Sequence, residues 1–468
     1  MSEQHNSTSA AAPLPLPNGQ VVSIIVANDH PLLQLKCALN WEAIKAVMVK
    51  HWRKAGRNVD GGPGLPWPVD LYVPLLVLMS VKALDSRQME HHLEENVVAR
   101  LFLGIEDQLS PRVRDHSNIA RAQAYLGVVG WQEVNELIVG EATRLGFGQV
   151  EILSSDTTVQ EPAIGYPNEA GIMRGVAQRV YRSLVKVKER GMEAVEAGKE
   201  KAKEIFKTVK EYHLFARTAE QKDQLLHQLV ARTEELILHS QEVIRQVGHS
   251  AERVTQSAVR KMRRLVEVSA TLLPQIVQWL QTGVVATGKI LHAGITTARA
   301  IVKNKAGKRV EFGLKWLINR IEGGYVFGRV VEAGADEREM PIEAMKDYQR
   351  VFGAEAVPKT SIYDRGGSAP KTIEALKRQG VEKVGIQPRG KAKWCVAEAD
   401  QPEVRSQRGK TEGVIGTLKS RKYGFNHRTE RSNETLVAAG QRVMVCLNLN
   451  KLMRDVVGKE KKVRVATA

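Results

Sequence analysis

Apolar positions recur three and four residues apart from about Leu32 to Lys54, lapse through the glycine- and proline-rich stretch Asn58 to Trp67, and resume downstream. Leu71 to Leu84, Ser86 to Leu103 and His116 to Leu145 carry the same periodicity, punctuated by Gly104, Ser110-Pro111 and Gly127. A 3.6-residue apolar period broken by such residues predicts short amphipathic helices joined by tight turns. At Gly148 the texture changes. Gly148 to Thr158 alternates apolar and polar residues and ends in Asp156-Thr-Thr, which predicts a strand delivering a carboxylate.

Helix formers then dominate from about Gly171 to Val302. Within them Leu226, Val230, Ile237, Ile244 and Val247 form a seam that Thr233 and Ser240 complete, the pattern of an amphipathic or short coiled-coil hairpin. Beyond Lys303 to Lys308 strand texture returns: Val310 to Ile318 and Gly324 to Ala333 predict a hairpin, and Glu337 to Val351 a helix. Lys359 to Asp364 predicts a second strand ending in a carboxylate, followed by Gly366-Gly367; Ala369 to Gln379 predicts a helix and Val381 to Gln387 a strand. After a loop from Pro388 to Pro402 comes a helix carrying Glu412.

This order predicts a disordered leader (1–30), a helical N-terminal domain (31–147), and an α/β domain made of 148–168 plus 305–430. A helical insertion occupies 169–304, and a C-terminal helix with a basic tail occupies 431–468. The short helices carrying Arg87, Arg100, Arg112, Arg114 and Arg121 suit a helix-turn-helix domain, and equally an ordinary bundle with solvated arginines.

Composition narrows the class. With 468 residues, 43% hydrophobic and 26% charged, the chain can bury a sizeable core. A formal charge of +17 with basic residues spread over many segments favours a nucleic-acid partner over a membrane. Cys37, Cys395 and Cys446 are far apart, and His91, His92 and His116 have no cysteine or further histidine at metal spacing, so neither a disulfide framework nor a zinc site is indicated. No secretory signal opens the chain, and the most apolar stretch, Leu71 to Leu84, is too short to span a bilayer.

The candidate chemistry lies near the C-terminal end. In Arg408-Gly-Lys-Thr-Glu412, followed by Lys419, an acid is flanked by two cations four and seven residues away, on roughly one helix face. Alone, this is also what a solvated i,i+4 ion pair looks like. Its company is Asp156 and Asp364, each at a strand end. Three converging carboxylates would repel one another without a cation, and hard oxygen donors suit Mg²⁺. Glu161 and Asp336 are further carboxylates that fit salt-bridge or turn roles.

The arrangement resembles the DDE-type transposases of bacterial insertion sequences, in particular the superfamily whose third-acid helix carries Tyr-x2-Arg-x3-Glu-x6-Lys. The chain matches that motif at Arg408, Glu412 and Lys419 and departs from it at Arg405, which stands in place of tyrosine. Asp156-Thr-Thr, Tyr363-Asp364-Arg-Gly, Val310-Glu-Phe-Gly, Tyr423-Gly and the closing Cys446-Leu-Asn-Leu-Asn-Lys also resemble family segments. The resemblance covers about Asp70 to Leu452, loosely so in the helical insertion.

It implies a ribonuclease-H-like catalytic domain carrying a large all-α insertion behind an N-terminal all-α domain, with Asp156, Asp364 and Glu412 catalytic and holding two Mg²⁺ ions, for which Mn²⁺ would substitute. Arg405, Arg408, Lys410, Lys419, Arg421, Lys422, Tyr423, His427 and Arg428 would contact DNA; from Glu403 to Arg431 the chain has eight Lys or Arg against three Glu. The expected activity is cleavage at transposon ends and strand transfer into target DNA, by a homodimer on double-stranded terminal repeats, in the bacterial cytoplasm at the nucleoid, with no membrane or small-molecule partner. A DNA-binding relative without catalysis, or a non-mobile metal-dependent nuclease, are the alternatives.

Overall fold

The computed structural model describes residues 10–15, 21–60, 67–105, 115–187, 192–303, 309–388, 390, 393–426 and 428–467. Two compact units emerge: one made of 1–160, 315–428 and 434–468, the other of 161–314 and 429–433.

The first unit opens on two strands, Ala10–Pro15 (β1) and Val21–Val26 (β2), paired antiparallel from Ala10 opposite Val26 to Pro15 opposite Val21. They stand where the sequence predicts a disordered leader. The β-branched run Val21-Val-Ser-Ile-Ile-Val26 is the strand signal that the proline-rich residues before it obscure.

Among the described residues six helices follow: Pro31–Ala38 (α1), Trp41–Lys54 (α2), Val69–Lys82 (α3), Ser86–Glu95 (α4), Val97–Leu103 (α5) and His116–Arg144 (α6). Their ends have local causes. Asn40 accepts the Ala43 N–H at 3.1 Å, Asp85 and Gln88 form a capping box at the start of α4, and Gly104, at φ 74°, closes α5. Gly127, at φ 62°, kinks α6. The apolar run that is too short for a membrane is α3, buried on nearly every side in this bundle. No described helix is long and apolar enough to cross a membrane. The Trp52 indole donates to the Ala122 carbonyl at 2.9 Å, tying α2 to α6. Of the arginines expected on a DNA-binding face, Arg100 is 5% exposed and belongs to the interior, while Arg112 and Arg114, like the Ser110-Pro111 break, lie outside the described residues.

These helices are not a separate domain. Buried residues from Leu32 to Ala142 share one continuous core with residues of the sheet and of the last helix. The strand Gln149–Gln160 (β3) follows α6 after only a short turn through Gly146 and Gly148. A domain boundary at 147 is therefore absent, because short helices with broad apolar faces find their cover on the sheet.

In the second unit, Glu169–Leu184 (α7), Glu193–Leu214 (α8), Ala219–Val247 (α9) and Arg253–Thr282 (α10) pack around their own core. The predicted seam on α9 is buried there, and Thr233 and Ser240 satisfy their hydroxyls on the carbonyls of Leu229 and Leu236, at 2.6 and 2.7 Å. The segment expected to be wholly helical to 304 ends in a strand, Arg299–Val302 (β4), which pairs antiparallel with the start of Val310–Glu322 (β5).

The remainder of β5 belongs to the first unit, followed by Val326–Val330 (β6), Met340–Phe352 (α11), Thr360–Tyr363 (β7), Pro370–Arg378 (α12), Lys383–Ile386 (β8), Gln401–Lys419 (α13) and Asn433–Thr467 (α14). There the strand order is β6-β5-β3-β7-β8, with β3, β7 and β8 parallel and β5 antiparallel to β6. Asn448 on α14 donates to Asn135 on α6 and to the Val326 carbonyl on β6, at 2.8 and 2.7 Å, so polar as well as apolar contacts join the bundle to the sheet.

Candidate active site

Ile152, Leu153 and Ser154 of β3 stand opposite Thr360, Ser361 and Ile362 of β7 in parallel register. Two residues beyond the last pair, on each chain, are Asp156 and Asp364. Neighbouring parallel strands thus bring both aspartates to the same level, but the strand expected to end at Asp156 runs on to Gln160, so Asp156 sits within β3 while Asp364 directly follows β7. Side chains alternate across a strand. Ile152 and Ile362 pack with Val404 of α13, whereas Leu153 and Tyr363 join the main core on the opposite face. Asp156 and Asp364, in step with Ile152 and Ile362, belong to the face that α13 covers.

The helix is seated closely. Gly385 of β8 leaves room for Val404, whose Cγ1 would be 2.8 Å from any Cβ placed there. Farther along, the Thr411 and Ser154 hydroxyls are hydrogen-bonded at 2.7 Å, and Arg320 of β5 donates to Gln407 at 2.9 Å. Val404, Gln407, Thr411, Ile415 and Leu418 make the buried seam. At about 100° per residue, Arg405, Arg408, Glu412 and Lys419 form a stripe beside that seam. Glu412 is the residue after Thr411, and Asp156 lies two beyond Ser154, so one hydrogen bond joins the helical turn of the third acid to the strand of the first.

Each aspartate is held by backbone. Thr157 N–H donates to Asp156 Oδ1 at 2.7 Å, and Gly366 N–H to Asp364 Oδ1 at 2.6 Å. Glu412 instead leans on Arg408, 3.2 Å away, with 55% of its side chain exposed. Ligand atoms of the three acids do not all come within 4.8 Å of one another: among the described residues that closeness occurs for Glu90, Asp115 and His116. Like charges at a shared site splay unless a cation offsets them. An all-oxygen donor set, one acid within β3, one just past β7 and one on α13, suits Mg²⁺ or Mn²⁺.

Beneath the aspartates is an acid the sequence reading passed over. Glu337 accepts from Tyr363 at 2.6 Å and Thr157 at 3.0 Å and pairs with Lys315 at 2.8 Å. Burial pushes its pKa up, but the Lys315 and Tyr363 contacts outweigh that and hold it below the ordinary value. Burial, reinforced by Glu337, Asp156 and Asp364, drives the Tyr363 hydroxyl far above its usual pKa, keeping it a neutral donor. No local sequence pattern marks Glu337. Asp336 beside it binds Arg338 at 2.7 Å, the salt-bridge role expected for it, while Glu161 falls in the second unit.

The predicted DNA contacts divide. Arg405, Lys410, Arg421 and Lys422 are exposed, and Arg408, Lys419 and Arg428 are half-buried. Arg405 stacks over Trp394 at 5.7 Å, so an aromatic ring supplied from another segment borders the position where the motif has tyrosine. Tyr423 is 8% exposed, its pKa raised by burial, and Phe425 is fully buried against Trp316; both serve the interior rather than a base-stacking surface. His427 lies outside the described residues. The acidic neighbours of His116, Glu90 at 3.4 Å and Asp115 at 2.8 Å, also escaped the reading, which sought cysteine and histidine partners.

A comparison with known families bears on the N-terminal bundle. Residues 21–124 match the family model of a transposase domain (DUF772). The match supports a transposase family, a role in DNA transposition as a DNA-processing enzyme, and DNA as the partner. It runs from β2 into α6 and ends upstream of all three acids. No curated protein and no solved structure matches the chain.

Proposed function

We propose that this protein is a transposase of the DDE type and that its α/β portion is ribonuclease-H-like, with the helical segment of the second unit as an insertion after the first strand. The observation that carries the reading is the parallel β3–β7 register, which leads to Asp156 and Asp364 at one level, under a helix pinned to β3 next to Glu412. In chain order these are the first and fourth strands of the domain, neighbours as the resemblance requires.

Asp156, Asp364 and Glu412 would hold two Mg²⁺ ions, which would lower the pKa of an attacking water and stabilise the leaving oxygen of an in-line phosphodiester displacement. The chain's own residues do the positioning. Backbone N–H groups fix one oxygen of each aspartate, and Tyr363 with Lys315 braces Glu337 beneath them. As Glu412 turns toward the aspartates, Arg408 is left one helical turn away with a fork suited to a phosphate, and Lys419 adds a point charge on the same stripe. Arg405, Lys410, Arg421, Lys422 and Arg428 extend that basic track. Cleavage at a terminal repeat would free a 3′-hydroxyl for attack on target DNA, in a homodimer that pairs two ends.

The test is incubation of the purified protein with a labelled inverted-repeat end and Mg²⁺ or Mn²⁺, beside Asp156→Asn, Asp364→Asn and Glu412→Gln. Each variant should bind the end and lose at least about 100-fold in cleavage rate, or about 2.7 kcal/mol of barrier. Wild type that binds without producing more 3′-ends or joined products than the variants would establish the binding-only alternative. Cleavage without joining, indifferent to paired ends, would establish a nuclease.

A further inference from the structure

The second unit contains a concentration of positive charge that the catalytic reading does not use. Arg182 on α7, Arg431 and Arg264 on α10 each act electrostatically on Arg179 of α7, and no acid contributes to the field there. Among the described residues none of the four forms an ion pair. The Arg179 guanidinium donates to the Arg431 carbonyl at 3.2 Å and lies so close over Gly294 that a side chain there would strike both groups. Arg182, Arg264 and Arg431 are exposed around this half-buried centre.

The adjoining turn adds another donor. His292 Nδ1 accepts the N–H groups of Gly294 and Ile295, at 3.2 and 3.1 Å, which leaves the ring proton on Nε2. Burial and then Arg179 depress the His292 pKa to about 4, so the ring is neutral at physiological pH. Burying an arginine among like charges is costly. Such a cost is offset when an anion completes the site, and guanidinium forks match the planes and edges of phosphate oxygens.

We propose that Arg179, Arg182, Arg264 and Arg431, with the His292 Nε2–H edge, form an oxyanion site that takes a backbone phosphate of double-stranded DNA. The choice of DNA as the source of that phosphate rests on the transposase reading; the donor cluster does not. Arg179 is the fixed centre and the three exposed arginines are the adjustable rim. The second unit is thereby a DNA-gripping element with its own anchoring point, outside the stripe on α13.

The experiment measures affinity of the full chain for a labelled terminal-repeat duplex across a salt series, for wild type, Arg182→Gln, Arg264→Gln, Arg431→Gln and their combination, with melting temperature checked for each. Inorganic phosphate is added as a competitor in a second arm. Each lost phosphate contact lowers the slope of log K against log salt by roughly 0.9. The combined variant should therefore bind at least about tenfold more weakly at moderate salt, with a slope shallower by roughly 1 or more, and Arg182→Lys should lose less than Arg182→Gln. Unchanged affinity and slope in folded variants overturn the site. Phosphate competition that disappears in the variants while the duplex slope stays constant overturns the assignment to DNA. The single variants decide the matter if the combination does not fold. Asp156→Asn serves as the control: its cleavage loss tests the catalytic reading whatever the arginine variants do.

Discussion

The hydroxyls of Thr411 and Ser154, 2.7 Å apart and both buried, join the helix of the third candidate acid to the strand of the first. Thr411→Val keeps the shape and leaves Ser154 without this partner. The expected cost is about 1–2 kcal/mol of stability, measured by urea unfolding, together with a fall in cleavage rate that remains after correction for folded fraction. Thr411→Ser should restore both. A cleavage rate unaffected by Thr411→Val would show that the bond is not what positions Glu412.

Glu337→Gln removes the charge that buried Lys315 faces, on a side chain that is itself 36% exposed. The half-buried pair is expected to cost about 2–3 kcal/mol when broken on one side. The sign with pH follows from the depressed pKa. Ionised Glu337 contributes stability above the unfolded value near 4.5, and that contribution is lost as pH falls through the lower folded value. Urea midpoints followed from pH 7 to pH 3 should therefore drop more steeply in wild type than in Glu337→Gln.

At Gly385→Ala the added methyl meets Val404 Cγ1, a stiff β-branched neighbour, at 2.8 Å. Overpacking of this kind costs about 1–3 kcal/mol. Because it lifts α13 from β8, susceptibility to proteolysis within 401–419 should rise along with the loss of stability. A neutral melting temperature would mean that the helix accommodates the methyl by a small shift.

Arg408→Gln tests the stripe without touching a metal ligand. The Arg408–Glu412 pair is at 3.2 Å, but with side chains 39% and 55% exposed its loss should change stability by less than about 0.5 kcal/mol. The salt slope of duplex binding should become shallower by roughly 0.9. Duplex binding with an unaltered slope would leave Arg408 an ordinary surface ion pair.

Much of the secondary structure could be read from the chain because the period of apolar residues changes where the structure changes. The alternation before Asp156 and Asp364 and the 3.6-residue pattern around Thr411 correspond to β3, β7 and α13. What the pattern could not convey is partnership. The β3–β7 register joins residues far apart in the chain, and Glu337 gains its surroundings from Lys315, Thr157 and Tyr363 on three other segments. The same reason erased the expected boundary at 147, since a helix face does not announce whether its cover is another helix or a sheet. Tyr423, placed among the expected DNA contacts, is instead 8% exposed, because an aromatic among lysines and arginines looks exposed until its neighbours are known.

The Ser154–Thr411 contact spans 257 residues. On the ribosome β3 emerges long before the helix that completes its neighbourhood, and such non-local closure is slow as well as late. A product halted before Gln401 carries the whole family-matched segment, residues 21–124, yet lacks the helix that docks on β3. Under the proposed function, copies halted there lack Glu412 and would not cut DNA, so the capacity to cut would come later than the family-matched segment and the first two acids.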